Sequence, residues 1–236
     1  MAISLFFILL YILMKFYDPP EIFLVNNLPL YVFWTLVWVG FFAPGFFMVA
    51  SFNIERKSTQ MFLRVFSYFI LGYFIFTSIL YFIPYDIQKS DGTVNENGIC
   101  FQRTSYSCGP CSMVMLLDQY NIDSTEGEMA KLSYTFPVTG VNDAGMIHAL
   151  RRKTKDTFYK PVAEKVKIDD LKKFDKPVVT AVKLDQPLLN HAVVVESFNG
   201  KKFVVLDPLK GRVLFSESEL KRRWLEVVIY LERKKF

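Results

Sequence analysis

Residues 190–207 read NHAVVVESFNGKKFVVLD and decide the fold of the second half of the chain. Two runs rich in β-branched and aromatic residues flank Asn199-Gly200, which is a strong signal for a hairpin turn. This stretch therefore predicts two antiparallel strands joined by a tight loop. Similar short runs, separated by turn signals, extend the prediction to an antiparallel sheet, with strands at Val178–Leu184, His191–Phe198, Lys202–Leu206, Val213–Phe215 and Val227–Leu231.

Helical patterns precede these strands. A helix is predicted from about Ser107 to Tyr120, because apolar residues recur there at helical spacing and Pro110 falls in the first turn, where proline is tolerated. Further short helices are predicted at Glu126–Leu132, Ala144–Lys153 and Asp169–Phe174. Helices first and an antiparallel sheet second predict an α+β domain.

The 236 residues carry their charges unevenly. Residues 1–85 contain only seven charged side chains, whereas residues 86–236 contain 24 Lys or Arg and 20 Asp or Glu. This division excludes a single homogeneous soluble domain, and the high apolar content excludes disorder. With 11 Gly and 3 Cys, the chain is neither collagenous nor a disulfide-rich secreted scaffold.

Residues 1–85 are predicted to form a membrane region. Their apolar stretches lie at about residues 2–16, 28–52 and 61–84. A helix needs about 20 apolar residues to cross the hydrocarbon, a length that the second and third stretches reach. The first stretch is shorter and is compatible with a span, a signal-like segment or an interfacial helix. We therefore expect two or three transmembrane helices, a polar linker at 86–98 and the α+β domain at 99–236.

The charges near these stretches bear on orientation in a cell membrane. The loop between the second and third stretches and its vicinity hold three basic residues, and the other side holds two. Because basic residues favour the cytoplasmic side, this count places the C-terminal domain outside. The residues counted are Arg56, Lys57 and Arg64 against Lys15 and Lys89.

Cys108 is the candidate nucleophile. It is predicted to lie at the start of a helix, where unpaired backbone N–H groups and the helix dipole favour a thiolate. Gln102, six residues upstream, carries an amide that can donate to a developing oxyanion beside the Cys108 backbone N–H. We expect Gly109 to leave room for a substrate backbone. A single cysteine is more often a small buried residue, but the helix start and Gln102 favour the nucleophile.

His191 and Asp207 are the candidate base and its orienting acid. A two-residue loop of Asn199 and Gly200 would place His191 opposite Pro208. A three-residue loop with Gly200 left-handed would place His191 directly opposite Asp207 on the same face, and we predict this register. The carboxylate could then orient the imidazole. His148 is a weaker candidate because it falls in a predicted helix beside two arginines.

Several other functions lack their sequence signals. The chain has no G-x-x-x-x-G-K-[ST] loop for nucleotide phosphates. Its two histidines lie 43 residues apart, so no metal-ligand spacing is present and no metal or cofactor is expected. Basic residues are dispersed, which argues against nucleic acid as a partner.

Residues 108–111, CGPC, are spelled like a thioredoxin active site. No apolar strand leads into this motif and no βαβ pattern surrounds it, so a redox function is disfavoured. Cys111 is expected to be a small packing residue. In an oxidising compartment it could nevertheless close a disulfide with Cys108 and silence the nucleophile. On this ground we expect a cytoplasmic domain, against the charge count.

Three motifs together resemble the C39 cysteine peptidases: QRTSYSCG at 102–109, NHAVVV at 190–195 and DPLKGR at 207–212. The resemblance covers about residues 99–232. It implies a papain-like fold, with a helix that bears the cysteine and a C-terminal antiparallel sheet. It also implies cleavage of leader peptides from bacteriocin and pheromone precursors, typically after a double glycine.

The resemblance assigns a role to each candidate residue. Cys108 matches the nucleophile, His191 the base, Asp207 the orienting acid and Gln102 the oxyanion donor. The implied partners are a precursor peptide or small protein, the lipid membrane and an export system encoded separately, because this chain has no ATPase. Two alternatives stay open: another acyl transfer such as amide hydrolysis in the cell wall, and a non-catalytic module that holds a leader peptide.

Overall fold

A computed structural model of the chain describes residues 57–62, 64–65, 68, 72, 86–137, 139–184 and 190–234. The chain divides into two compact units, Met1–Ile83 and Pro84–Phe236. The predicted spans at 2–16 and 28–52 lie outside the described residues, as does most of the span at 61–84. Within the described part, no helix combines the length and the apolar character that crossing a membrane requires.

The second unit is an α+β domain, as the sequence predicts. A 3-10 helix at Asp86–Lys89 comes first. The helices are α1 (Cys108–Asp118), α2 (Glu126–Leu132), α3 (Asp143–Lys153), α4 (Ile168–Leu171) and α5 (Glu217–Arg223). The strands are β1 (Tyr159–Lys165), β2 (Val178–Lys183), β3 (Asn190–Phe198), β4 (Lys202–Asp207), β5 (Gly211–Ser216) and β6 (Trp224–Arg233).

The six strands form one antiparallel sheet in the order β1-β6-β2-β3-β4-β5. The five predicted strands are confirmed within a few residues. The sequence patterns missed β1 and α5. β1 is half polar, and it becomes a strand by pairing with β6, whose residues lie about 65 positions later in the chain, as in the pair Lys165↔Val227.

Helix α1 is the core helix of the domain. Residues 109–117 are all buried, and the helix packs mainly on β3 and α2. The central strands of the sheet are buried on both faces. One set of alternate residues, including Val193, Val205 and Phe203, joins a cluster with α4 and α5. The intervening residues, such as Val194, are also buried, so α1 covers the second face.

The segment predicted as a linker, residues 86–98, is in fact packed on the domain. Ile87 is buried, and the Ser90 hydroxyl donates to a carboxylate oxygen of Glu126 at 2.6 Å. The backbone N–H of Gly127 donates to the Ser90 carbonyl at 3.1 Å. These hydrogen bonds join the segment to the start of α2, while seven of its 13 residues are exposed to solvent.

The β3–β4 hairpin differs from the predicted register. Phe198 pairs with Phe203, and the residues between the two strands are Asn199, Gly200, at φ +87°, and Lys201. The positive φ of Gly200 is confirmed, but the predicted loop of residues 198–200, which would pair residue 197 with residue 201, is wrong. A bulge at Glu196 then shifts the ladder by one residue, so that Val194 pairs with Leu206.

The bulge determines which residues share a face. Without it, the hairpin register would place Asp207 opposite Val194, on the other face from His191. With it, the ladder continues to place Asp207 opposite Val193, two residues from His191 and on the same face. His191 and Asp207 therefore lie on one face of the sheet, although the register of the strands differs from the predicted one. The two residues are diagonal neighbours and do not lie directly opposite each other.

Candidate active site

Cys108 is the first residue of α1 and is half-buried, unlike the other two cysteines, which are fully buried. Ser107 precedes it but does not cap the helix with its side chain. Its hydroxyl instead accepts from the Thr104 backbone N–H at 3.1 Å and closes a turn before the helix. The N–H groups at the start of α1 thus remain directed at the region of the thiol.

His191 links the candidate nucleophile to the candidate acid. Its Nε2 lies 2.7 Å from Oδ1 of Asp207, and both side chains are buried. The imidazole also hydrogen-bonds to the Cys108 thiol. Because Asp207 occupies Nε2, Nδ1 is the ring nitrogen left for the sulfur. The structure therefore brings the three sequence-predicted residues into one chain of contacts.

The surroundings of Cys108 favour its thiolate. Burial raises the pKa of this thiol, but several hydrogen bonds to the sulfur outweigh that effect. They come from the His191 ring and from the backbone N–H groups of Ala192 and Gly109, with the charge of His191 acting in the same direction. The net pKa of Cys108 is lowered. The sequence reasoning anticipated the helix start but missed Ala192, whose N–H reaches the sulfur only because β3 and α1 are packed together.

The pKa values of His191 and Asp207 are shifted as well, upwards for the imidazole and downwards for the carboxyl group. Burial lowers the pKa of His191, but the hydrogen bonds to Asp207 and Cys108 raise it to about 9. Burial raises the pKa of Asp207, and the contacts with His191 and the Leu209 backbone N–H lower it overall. That N–H donates to Oδ1 at 2.8 Å in the Asp-Pro turn. A carboxylate, an imidazolium and a thiolate are thus the favoured protonation states.

Gln102 is held beside this group by backbone contacts. Its N–H donates to the Pro208 carbonyl at 3.1 Å, which ties it to the turn after Asp207. Its side-chain Nε2 donates to the Thr104 carbonyl at 2.7 Å. Because an amide NH2 group has two N–H donors, one remains beyond this bond. The oxyanion role of Gln102 stays a prediction, since the recorded bond is to Thr104.

Gly109 does not provide open space for a substrate. A Cβ built at this position would collide with Cγ1 of Val141, a half-buried residue of the loop before α3. The glycine is needed because that loop packs directly on the first turn of α1. This corrects the expectation from the sequence, and it makes Val141 a wall of the site that sequence reasoning missed.

The remaining candidates lie elsewhere. Cys111 Sγ lies 2.8 Å from Cys100 Sγ, so the CGPC motif does not act as a pair with Cys108. His148 packs its ring on Tyr134 at 5.7 Å, away from these contacts. Burial and then the charges of two neighbouring arginines lower the pKa of His148. Among the residues that the structure describes, no group of three His, Cys, Asp or Glu side chains could hold a metal ion.

Comparison with known proteins identifies the family to which this domain is similar. A family model described as "Peptidase C39 family" matches residues 96–235, which is more than half of the chain. A protein of Methanothermobacter thermautotrophicus, described as uncharacterized, is 26% identical over 141 residues, which are 60% of this chain and 92% of that protein.

Two solved structures are similar in fold, each with a TM-score of 0.50. One is a double glycine motif protease from an AMS/PCAT transporter, in complex with the leader peptide; it is 19% identical, and the match covers 63% of this chain and 97% of that one. The other is the peptidase domain of Streptococcus ComA, a bifunctional ABC transporter involved in a quorum-sensing pathway; it is 18% identical, with 58% and 98% covered.

Proposed function

The chain belongs to the peptidase C39 family of cysteine peptidases and has the papain-like fold of that family, and on this premise we propose that it removes a leader from a precursor peptide. The observation that carries the proposal is the position of His191 between the Cys108 thiol and Oδ1 of Asp207, with Nε2 and Oδ1 2.7 Å apart. That arrangement suits a nucleophile, a base and an orienting acid.

The first half of the reaction forms an acyl-enzyme. The Cys108 thiolate attacks the carbonyl carbon of the scissile bond, and negative charge develops on the carbonyl oxygen. We assign its stabilisation to the Cys108 backbone N–H and the second N–H of the Gln102 amide. The His191 imidazolium then gives its proton to the leaving amine, and the carbon–nitrogen bond breaks to leave a thioester on Cys108.

The second half releases the leader. His191, now neutral, removes a proton from a water molecule, which attacks the thioester carbonyl. Collapse of the resulting intermediate expels the Cys108 thiolate, which again faces the imidazolium formed when His191 took the proton from water. Asp207 keeps the ring in one orientation and stabilises its positive charge in both halves. The product is a free carboxylate on the cut peptide.

The substrate class rests on the similar proteins. One of the similar structures is described as a double glycine motif protease with its leader peptide, and the other as the peptidase domain of an ABC transporter. We assign a double-glycine-type leader to this chain on that basis. We propose an export system as a further partner, because one of the similar structures is a domain of an ABC transporter.

The apolar N-terminal region supports a membrane anchor as part of the proposal. Residues 28–52 contain no charged side chain, which is the pattern of a transmembrane helix. An anchored enzyme would meet precursors that gather at an export system on the same membrane.

The test uses the full-length protein and two kinds of substrate. Synthetic precursor peptides with a Gly-Gly site, and matched peptides in which both glycines are alanines, are incubated with the enzyme and analysed by mass spectrometry. Cell-wall muropeptides form the second set. Cleavage after the double glycine that is lost in Cys108→Ala supports the proposal.

Three other results would replace the proposal. Hydrolysis of muropeptides alone would make the enzyme an amidase. Tight binding of precursor peptides without cleavage would make the domain a leader-binding module. Equal cleavage by wild type and Cys108→Ala would show that another group performs the reaction. Cys111→Ser is the matched control, since it removes a sulfur one helical turn away.

A further inference from the structure

Two cysteines of the domain have no part in the proposed reaction. Cys100 and Cys111 are both fully buried, and their sulfurs lie 2.8 Å apart although the residues are 11 positions apart in the chain. The Cys108 sulfur is held separately, by His191 and by two backbone N–H groups. The chain's three thiols are therefore sorted into one half-buried thiol and one buried pair.

The chain between the two buried sulfurs is the segment that carries the candidate chemistry. It begins just before Gln102 and ends in the first turns of α1, so it contains both Gln102 and Cys108. A covalent bond between Cys100 and Cys111 would close this segment into a short loop. It would tie down both of its ends without touching either candidate catalytic side chain.

A buried carboxylate completes the surroundings of the pair. Glu126 is fully buried and accepts from the Ser90 hydroxyl at 2.6 Å and from the Arg103 backbone N–H at 2.9 Å. Cys111 also hydrogen-bonds to it. The hydrogen bond with Cys100 and then burial raise the pKa of Cys111 above its ordinary value. In the reduced protein this sulfur is therefore a thiol and not a competing nucleophile.

We propose that Cys100 and Cys111 are a disulfide site, which closes in an oxidising environment and leaves Cys108 free. The oxidant is a small-molecule disulfide or a thiol oxidoreductase of the compartment. The two protein thiols lose their hydrogens and become one disulfide, while the disulfide of the oxidant is reduced to two thiols, so that electrons and protons balance. The inference does not depend on the peptidase activity, because it concerns only these two sulfurs.

The pairing of Cys100 with Cys111 removes the reason, drawn from the sequence, to expect a reducing compartment. If Cys111 closed on Cys108, oxidation would abolish the nucleophile, and the domain would need a reducing compartment. With Cys111 engaged by Cys100 instead, the same domain keeps a free nucleophile in either redox environment. A closed loop also restricts the unfolded chain, so the oxidised protein is the more stable form.

The test follows the thiols by mass rather than by activity. Full-length protein is unfolded and refolded in detergent with either reduced or oxidised glutathione, blocked with N-ethylmaleimide, and digested with trypsin without reduction. Trypsin cuts after Arg103, so Cys100 leaves on a different peptide from Cys108 and Cys111. We expect the two peptides to be linked after oxidation, with N-ethylmaleimide on Cys108.

Cysteine variants identify which two residues form the disulfide. Cys100→Ser and Cys111→Ser should each lose it, and Cys108→Ala should keep it. The melting temperature of the wild type should rise by roughly 5–10 °C on oxidation, a shift absent from Cys100→Ser. A disulfide that includes Cys108, or three labelled thiols after refolding with oxidised glutathione, would overturn the proposal.

Discussion

At the residue scale, the three sulfurs of the chain differ in what surrounds them. Cys108 is half-buried with a lowered pKa, whereas Cys100 and Cys111 are fully buried against each other. Since alkylation needs an exposed thiolate, iodoacetamide at mildly acidic pH should label Cys108 ahead of the other two, as read by mass spectrometry. Cys108→Ala should abolish turnover with an unchanged circular-dichroism spectrum. Equal labelling of all three sulfurs in folded protein would contradict the assignment.

The pH dependence follows from His191. Its pKa is raised to about 9, so the imidazolium is present below that pH and is lost above it. Because folding raises the pKa of His191, its positive charge stabilises the folded protein. This stabilisation is fully present below the unfolded pKa of about 6.5 and is lost as the pH rises towards 9. We therefore expect kcat/KM to fall as the pH rises through about 9.

Replacing Asp207 should shift the alkaline limb of the pH profile of kcat/KM. Asp207→Asn removes the charge that holds the imidazolium, so the pKa of His191 falls and the alkaline limb moves to lower pH. Imidazole NMR can follow this directly, because the chain has only two histidines. His148→Gln identifies the second signal and should leave the activity profile in place. An unmoved His191 pKa in Asp207→Asn would remove Asp207 from its role.

Substitution of Gln102 distinguishes a role in stabilising the transition state from a role in binding the substrate. An amide that stabilises the oxyanion acts in the transition state, so Gln102→Ala should lower kcat by roughly 10²–10³ with little change in KM. Gln102→Glu keeps the shape but loses the N–H donor, and a similar loss of kcat is expected. A rise in KM alone would make Gln102 a substrate-binding contact.

At the element scale, the hairpin shows what the sequence could predict. The Asn199-Gly200 signal correctly placed a turn, and the β-branched runs correctly placed both strands. The register could not be predicted, because a bulge at the end of a run of valines has no sequence signal. A loop one residue away from the predicted one and a bulge at Glu196 compensate for each other, so His191 and Asp207 still share a face.

This compensation predicts that Glu196 can be deleted. Without it, the pairs Val195↔Val205 and Ser197↔Val204 become consecutive in a regular ladder, and the register at His191 is unchanged. We expect the deletion to keep the raised His191 pKa and kcat/KM within about tenfold of wild type. Glu196→Ala, which keeps the bulge but loses the ion pair with Arg212, is the control. That pair is partly exposed and contributes about 0–1 kcal/mol.

The opposite result would be informative. If the deletion lowered the pKa of His191 to its ordinary value while Glu196→Ala did not, the bulge itself would be needed to aim the imidazole. The assumption that ladder register alone places His191 and Asp207 would then be wrong.

At the scale of the whole molecule, the chain divides into two parts. The density of charged residues rises at about residue 85, and the two compact units of the structure meet in the chain between Ile83 and Pro84. The polar residues that follow were predicted as a linker because composition does not reveal partners distant in sequence. Ser90 finds its partner at Glu126, 36 residues later.

The contacts described above for the candidate site join residues of the second unit. The pairs Cys108–His191, His191–Asp207 and Gln102–Pro208 join residues between 102 and 208. A truncated protein of residues 84–236 should therefore fold and cleave a soluble precursor peptide with kcat/KM close to that of the full chain. Melting temperature and circular dichroism establish that the truncated domain is folded before its activity is compared.

A precursor held at a membrane should distinguish the two proteins. If residues 1–83 anchor the enzyme, tethering confines enzyme and substrate to one surface and raises their effective concentration without new contacts. On precursor bound to vesicles, the full chain in the same vesicles should be more efficient than the truncated domain, by roughly 10²-fold or more. Equal rates would argue against an anchoring role. Loss of soluble-peptide cleavage by a folded truncated domain would show that the N-terminal region contributes to the active site.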